Sequence, residues 1–195
     1  MSEYYHHPTF SVDDDYSSDN EESIQLKNYF RLLWEQHVYW TRMVILGIAF
    51  TMPDLESTTA RLLTNTTDFT KIFSHYYDNK VADEFERLVH NHLKITDTLI
   101  NAAKASNNTL VSDTEKSWYE NADNIVRFLN HINSCWAIKP MRAMWHEHLA
   151  LTKEEAVAVL TKDYQKSIDF FDKIEQQALV MADILSNGII IKFGL

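Results

Sequence analysis

The chain has 195 residues, of which 45% are hydrophobic and 24% charged, which suits a single soluble globular domain with a sizeable core. Three glycines and three prolines are too few for the turns and phosphate-binding loops of an α/β enzyme of this length, so the composition favours long helices. The net charge of −10 argues against a nucleic-acid binder, and no apolar run has the length of a bilayer-spanning helix.

The N-terminus has no basic segment followed by an apolar one, as a signal peptide would. Cys135 is the only cysteine, so an internal disulfide is excluded and a reducing compartment is compatible with the chain. We therefore expect an intracellular protein that is soluble or part of a larger particle, with no membrane and no nucleic acid among its partners.

Residues 1–24 differ from the rest of the chain in composition. They carry seven of the ten net negative charges and no lysine or arginine, which predicts a disordered acidic arm, 1–24, in front of a helical bundle domain, 25–195. This arm also contains the aromatic residues Tyr4, Tyr5, Phe10 and Tyr16. It is therefore either a mobile tail or a segment that docks onto a protein partner, a second copy or its own bundle.

The first half of the bundle domain shows helical spacing of apolar residues. The pattern predicts a helix from about 25 to 50, ended by Pro53, and a helix from about 81 to 106 with heptad spacing. Between them, 55–77 is less regular and is interpreted as two short helices with a break at 65–67.

The second half gives clearer start and stop signals. The sequence 112–115, Ser-Asp-Thr-Glu, is typical of a capping box and predicts that a helix begins there. Pro140 suits the first turn of the next helix, which should run to about Leu160. The last helix is predicted from about Asp163 to a glycine stop at Gly188, followed by an apolar tail that packs back onto the bundle.

Two stretches repeat one another. Residues 34–42 match residues 145–153 at four positions: a tryptophan, a histidine, a threonine four residues after the histidine, and the basic residue that follows the threonine. Residues 85–88 also resemble residues 171–174. A helical hairpin cannot bury its apolar stripe alone, so paired hairpins should close into a bundle. The sequence thus predicts an all-α, up-down helical bundle of four to five long helices built from two repeated helix pairs.

Five ionisable side chains fall on the apolar stripes of these helices. They are His37, His92, His148, Glu155 and Glu175. Buried charge is costly unless it is paired or bound to metal, and imidazoles with carboxylates in a bundle core form transition-metal sites, so iron, manganese or zinc is a candidate cofactor. The alternative is that these groups satisfy one another, or bond to Tyr and Thr, without metal. Asn121 can likewise hydrogen-bond across helices or face solvent.

The chain from about 25 to 193 resembles a family of short bacterial all-helical proteins of unknown function, often labelled acetylglutamate kinase. The resemblance rests on five segments, namely 33–42, 52–55, 118–123, 147–153 and 182–190. It implies a ferritin-like or similar four-helix bundle. Where a relative binds metal, the matching residues here are His37, His92, His148 and Glu175. The Glu-x-x-His pairs of a di-iron oxidase are missing.

Two functions follow from these observations. The first is a non-enzymatic scaffold or interaction protein with a polar His/Glu cluster in its core and the arm as docking element. The second is a ferritin-like bundle that binds iron, manganese or zinc, with or without redox activity. The sequence has no legible catalytic triad, phosphate loop or dinucleotide motif, and three glycines argue against acetylglutamate kinase activity.

Overall fold

The computed structural model describes residues 21–195, and this part of the chain folds into six α-helices without a strand. The helices are α1 (Glu21–Phe50), α2 (Leu55–Tyr76), α3 (Asn79–Lys104), α4 (Asn108–Ile132), α5 (Ile138–Leu160) and α6 (Tyr164–Phe193). The predicted all-α class is confirmed. The predicted disordered arm lies outside the described residues up to position 20, whereas 21–24 already form the first turn of α1.

The six helices form a closed ring of three antiparallel hairpins. Short links join consecutive helices, each helix packs against the next, and α6 closes the ring by packing against α1. The hairpins are α1–α2, α3–α4 and α5–α6. The odd-numbered helices α1, α3 and α5 also contact one another, and because the chain alternates in direction these three run parallel through the centre.

Side-chain caps fix where several helices begin. The side chains of Asp78, Asn107 and Asp163 accept hydrogen bonds from the free backbone N–H groups in the first turns of α3, α4 and α6. The predicted capping box at 112–115 is therefore wrong, because α4 starts earlier, at Asn108, and those residues lie inside it.

The predicted break at 65–67 is also wrong, because α2 is continuous from Leu55 to Tyr76. Asn65 and Thr66 are buried there rather than exposed in a link. The Asn65 side chain donates to the carbonyl oxygen of Leu33 on α1 (3.0 Å), so a polar residue that suggests a loop in the sequence instead joins two helices.

Gly188 has a different role from the predicted helix stop. The helix continues to Phe193 and ends at Gly194, whose φ of 72° is the left-handed conformation typical of a C-terminal cap. At Gly188 a Cβ atom would lie 1.9 Å from Nε1 of Trp136, so the missing side chain makes room for a buried indole. The predicted apolar tail 189–193 is correspondingly the last turns of α6.

The internal repeat is threefold. Each of α1, α3 and α5 carries a buried histidine followed four residues later by a buried threonine. The three pairs are His37 and Thr41, His92 and Thr96, and His148 and Thr152. The spacing between equivalent positions is 55 or 56 residues. The prediction of two repeated helix pairs therefore missed the middle hairpin, in which Val89 replaces the tryptophan of the other two. The resemblance of 85–88 to 171–174 does not belong to this threefold repeat, since 85–88 lie on the inner helix α3 and 171–174 on the outer helix α6.

Candidate functional site

The three parallel central helices bring His37, His92 and His148 into the interior. Their exposed fractions are 7%, 3% and 4%. The rings of His37 and His148 lie 5.8 Å apart between centroids, and Trp145 lies 5.8 Å from His92 and 5.9 Å from Trp34. The predicted interior position of the three histidines is thus confirmed, within a cluster of aromatic rings.

His92 has hydrogen-bond partners on both ring nitrogens. The indole Nε1 of Trp118 donates to Nε2 of His92 (3.0 Å), so this nitrogen carries no proton, because an indole N–H is only a donor. Nδ1 of His92 therefore carries the proton and donates to Oδ1 of Asn121 (2.8 Å). The amide of Asn121 in turn donates to the carbonyl oxygen of Leu88 (3.2 Å). This chain of bonds fixes a neutral imidazole in one tautomer.

His148 is held in the same way. Its Nδ1 lies 2.9 Å from Oε1 of Gln177, and the Gln177 amide donates to the carbonyl oxygen of Met144 (2.7 Å). In both hairpins the amide side chain comes from the outer helix, and the carbonyl belongs to the residue four positions before the histidine. We call such a pair of a buried histidine and an amide side chain on the other helix of its hairpin a clasp.

The first hairpin has the same residues but a looser clasp. Asn65 donates to the carbonyl oxygen of Leu33, again four positions before the histidine, His37. However, Nδ1 of His37 and Oδ1 of Asn65 are both buried without a hydrogen-bond partner, and so is the hydroxyl of Thr41. The contact with Asn65 still raises the pKa of His37, though less than burial lowers it. The repeat therefore contains two closed clasps and one open clasp.

Burial keeps the three imidazoles neutral. It lowers the pKa of His37 to about 3 and those of His92 and His148 to about 4, from an ordinary value of 6.5. The amide partners Asn121 and Gln177 oppose this by accepting from the ring, but burial dominates. At neutral pH the cluster carries no charge of its own.

A very small cavity lies between the rings. Its volume is about 10 Å³, and its lining includes Trp34, His37, His92 and Trp145. The indole nitrogens of Trp34 and Trp145, and Nδ1 of His37, are buried here without protein partners. A space of this size admits about one water molecule, so it is too small for an organic substrate.

Glu155 lies in the core but apart from the clasps. It is almost fully buried on α5 and forms an ion pair with Arg42 of α1, which also donates to the carbonyl oxygen of Ser167 (3.3 Å). Burial raises the pKa of Glu155 to about 7, against the opposite effect of Arg42. In the other two repeats the equivalent position, seven residues after the histidine, is Val44 or Leu99. The carboxylate is therefore specific to the third hairpin.

Glu175 does not join the histidines, so its predicted place in the core is wrong. It is half-buried at the seam between α6 and α1, where its carboxylate accepts a hydrogen bond from Tyr39 (2.8 Å). The inward face of α6 is centred on Ala178 and Leu185, and Glu175 lies at its edge. The residue of α6 that does reach a histidine is Gln177.

The sequence pattern indicates few of the amide and indole partners of the histidines. It points to Asn121 as a residue that can bond across helices, but not to Asn65, Gln177 or Trp118 as partners of the histidines. The signal that identifies the amides is their spacing of 56 residues, from 65 to 121 to 177, which matches the spacing of the histidines. It becomes visible only once the repeat is read as threefold.

Within residues 21–195 no three His, Cys, Asp or Glu side chains are grouped so that they could hold a metal ion. The clasps explain this, since they occupy Nδ1 of His92 and His148, and Trp118 occupies Nε2 of His92. No helix in the same part of the chain is both long and apolar enough to span a bilayer. Comparison of the chain with protein-family models, curated proteins and solved structures finds no match.

Proposed function

We propose that this chain is a non-enzymatic helical scaffold or interaction protein, in which the histidine cluster stabilises the bundle. The observation that carries the proposal is the clasp. Two of the three buried histidines direct Nδ1 to an amide on the outer helix of their own hairpin, and that amide also bonds the backbone. Such hydrogen-bonded neutral groups favour one packing arrangement of the hairpins.

The lack of space around the imidazoles supports the same function. The cavity beside them is about 10 Å³, and two surface grooves of about 650 and 560 Å³ are lined by none of the three histidines. A general base must come within hydrogen-bonding reach of its substrate. Neutral imidazoles enclosed by indoles suit structural roles better than catalysis.

The acidic arm belongs to this proposal as the expected docking element. Its aromatic residues, among them Tyr4 and Phe10, are suited to anchor onto a protein partner or a second copy of the chain. Removal of residues 1–20 should then weaken self-association or partner binding while leaving the melting temperature of the bundle unchanged.

A metal-binding bundle is the second candidate, and one observation favours it. The Nδ1 of His148 bonds to an amide oxygen, which is how metal-ligating histidines are commonly oriented, and the ring of His37 lies 5.8 Å away. A rotation of His37, whose clasp is open, would offer a second imidazole nitrogen. Iron, manganese and zinc are the metals that such ligands suit.

Elemental analysis after chelation and dialysis, followed by thermal unfolding with each metal added back, separates the two candidates. The scaffold proposal expects less than about 0.1 metal ion per chain and no change of melting temperature, because a ligand stabilises only the state that binds it. His131→Gln, an exposed histidine, is the matched control for His37→Gln. Stoichiometric metal lost in His37→Gln but retained in His131→Gln would contradict the scaffold proposal.

A further inference from the structure

An apolar surface runs along the seam between α1 and α6. Five large side chains there are each between 46% and 50% exposed: Tyr39, Met43, Phe50, Tyr164 and Ile168. Together with the half-buried Phe171 they form what we call the seam face. Exposed apolar residues that are contiguous, rather than scattered, indicate a binding surface.

Contacts across the seam show that this surface is continuous. The ring of Tyr39 packs edge-on against Phe171 at 5.3 Å, and that of Phe50 lies 6.2 Å from Tyr164. Met43 lies one turn after Tyr39 on α1, as Ile168 does after Tyr164 on α6. From Tyr39 to Phe50 the face is about 17 Å long, which matches roughly three turns of a helix laid beside it.

The charges around the seam face are negative. The pKa of the Tyr39 hydroxyl is raised mainly by its hydrogen bond to Glu175 and to a smaller extent by the nearby Glu35. Among residues 21–195, neither Glu35 nor Asp172 forms an ion pair with a lysine or arginine, and Glu175 bonds only to Tyr39. The nearest arginines are already paired, since Arg42 turns inward to Glu155 beneath the face and Arg31 binds Asp183. The surface therefore combines an apolar centre with an acidic rim.

We propose that the seam face binds a cationic amphipathic helix of a partner protein, an inference that rests on the proposed scaffold function and names the partner chemistry. An amphipathic helix places its apolar stripe on an apolar groove, and lysines or arginines along its edges would meet the acidic rim. The protein's own arm does not fit, because residues 1–24 carry seven acidic groups and no lysine or arginine. A second copy would oppose one acidic rim to another, at a net charge of −10 per chain.

The direct test uses a synthetic helical peptide of about 16 residues with a leucine stripe flanked by lysines, labelled for fluorescence anisotropy with the full-length protein. We expect micromolar binding that weakens several-fold when salt is raised to about 0.3 M, because exposed charges are screened. Met43→Ala with Ile168→Ala should weaken binding about tenfold. The matched control is Val180→Ala with Ile191→Ala, two exposed apolar residues on the other side of α6, which should bind as the native protein does.

Reversing the rim charges tests specificity. The variant Glu35→Lys with Asp172→Lys should bind the lysine peptide about tenfold more weakly. It should instead bind a peptide in which glutamate replaces lysine. Glu147→Lys with Glu154→Lys, at exposed positions of α5, changes the net charge equally and should not reverse the preference. The proposal would be overturned by an equal loss of peptide binding in both charge variants, or by equal binding of the glutamate peptide to the native protein. It would also be overturned by a dimer in light scattering that Met43→Ala with Ile168→Ala dissociates. Metal content decides the scaffold function separately.

Discussion

At the scale of single residues, the clasps show how a bundle can bury polar groups without a ligand. Each amide side chain has one donor directed to a backbone carbonyl of the inner helix and, in two hairpins, one acceptor directed to an imidazole. A buried polar group costs free energy when it loses its partner, more than the bond itself contributes. The effect of replacing an amide should therefore depend on what it leaves unbonded.

Asn121→Leu removes the acceptor of Nδ1–H of His92 and should lower the free energy of unfolding by about 1–3 kcal/mol. Urea unfolding followed by circular dichroism measures it. Asn124→Leu, three residues later on the exposed side of α4, is the control and should change stability by less than about 0.5 kcal/mol. If the two variants lost the same free energy of unfolding, Asn121 would contribute only through the polar surface or the helix propensity of α4, and not through its bond to His92.

The Arg42–Glu155 ion pair should stabilise the protein little compared with apolar residues at both positions. Arg42→Met alone leaves a buried carboxyl group without its cation and should cost about 3 kcal/mol at pH 8. The double variant Arg42→Met with Glu155→Leu has an apolar residue at position 155, as the other two repeats have at the equivalent positions Val44 and Leu99. Its free energy of unfolding should be within about 1 kcal/mol of that of the native protein, or higher.

In the single variant, the pH dependence that comes from Glu155, opposite in sign to that of the histidines, should become stronger. Burial already raises the pKa of Glu155 to about 7 from 4.5, and loss of Arg42 raises it further. A group with a raised folded-state pKa contributes stability at low pH that is lost as pH rises. Arg42→Met should therefore lose stability from about pH 5 to pH 8 relative to the double variant, and parallel stability curves for the two would contradict this.

At the scale of helices, the three hairpins are variations on one unit, and the differences arise from packing between neighbours. Gly188 is the clearest case. It allows α6 to approach Trp136 in the link between α4 and α5, and the indole of Trp136 donates to the carbonyl oxygen of Ile184 (3.2 Å). A side chain at this position must displace a buried indole.

Gly188→Ala should lower the free energy of unfolding by about 1–3 kcal/mol through overpacking, although alanine is the better helix former. Differential scanning calorimetry would show a lower melting temperature, and the indole fluorescence should shift as Trp136 moves. Asn187→Ala, at the exposed neighbouring position, is the control and should leave both unchanged. A more stable Gly188→Ala variant would contradict the close approach of α6 and Trp136.

At the scale of the whole molecule, three neutral histidines make the bundle sensitive to acid. Their folded-state pKa values of about 3 to 4 lie below the ordinary 6.5, so between these values the unfolded chain binds more protons and stability falls as pH falls. Each buried histidine should therefore lower the free energy of unfolding by about 2 kcal/mol as pH falls from 7 to 5.

Urea unfolding at pH 7, 6 and 5 measures this dependence. His148→Gln should show a smaller loss of stability over the interval than the native protein, and the exposed His131→Gln should show the same loss as the native protein. If His148→Gln and His131→Gln gave the same dependence on pH, the acid sensitivity would come from other groups.

The fold class and the burial of His37, His92 and His148 follow from the sequence because helical periodicity and the low glycine content act locally. The partners of those histidines depend on which helices become neighbours, and spacing along one helix does not contain that information. Glu175 illustrates the limit, since a small rotation of α6 places it at the seam and Gln177 beside His148. The sequence does not distinguish the two possible roles of Gly188 for the same reason, because a helix cap and a close contact between helices both favour a residue without a side chain.

Nitrogen NMR of ¹⁵N-labelled histidine can show whether the three buried histidines are neutral structural groups. Among the nine histidines, three should not titrate above about pH 5 and should not respond to chelator. His92 and His148, assigned by substitution, should show the tautomer protonated at Nδ1. Titration of the three buried histidines near pH 6.5, or a change in their resonances on removal of metal, would contradict their neutral structural role.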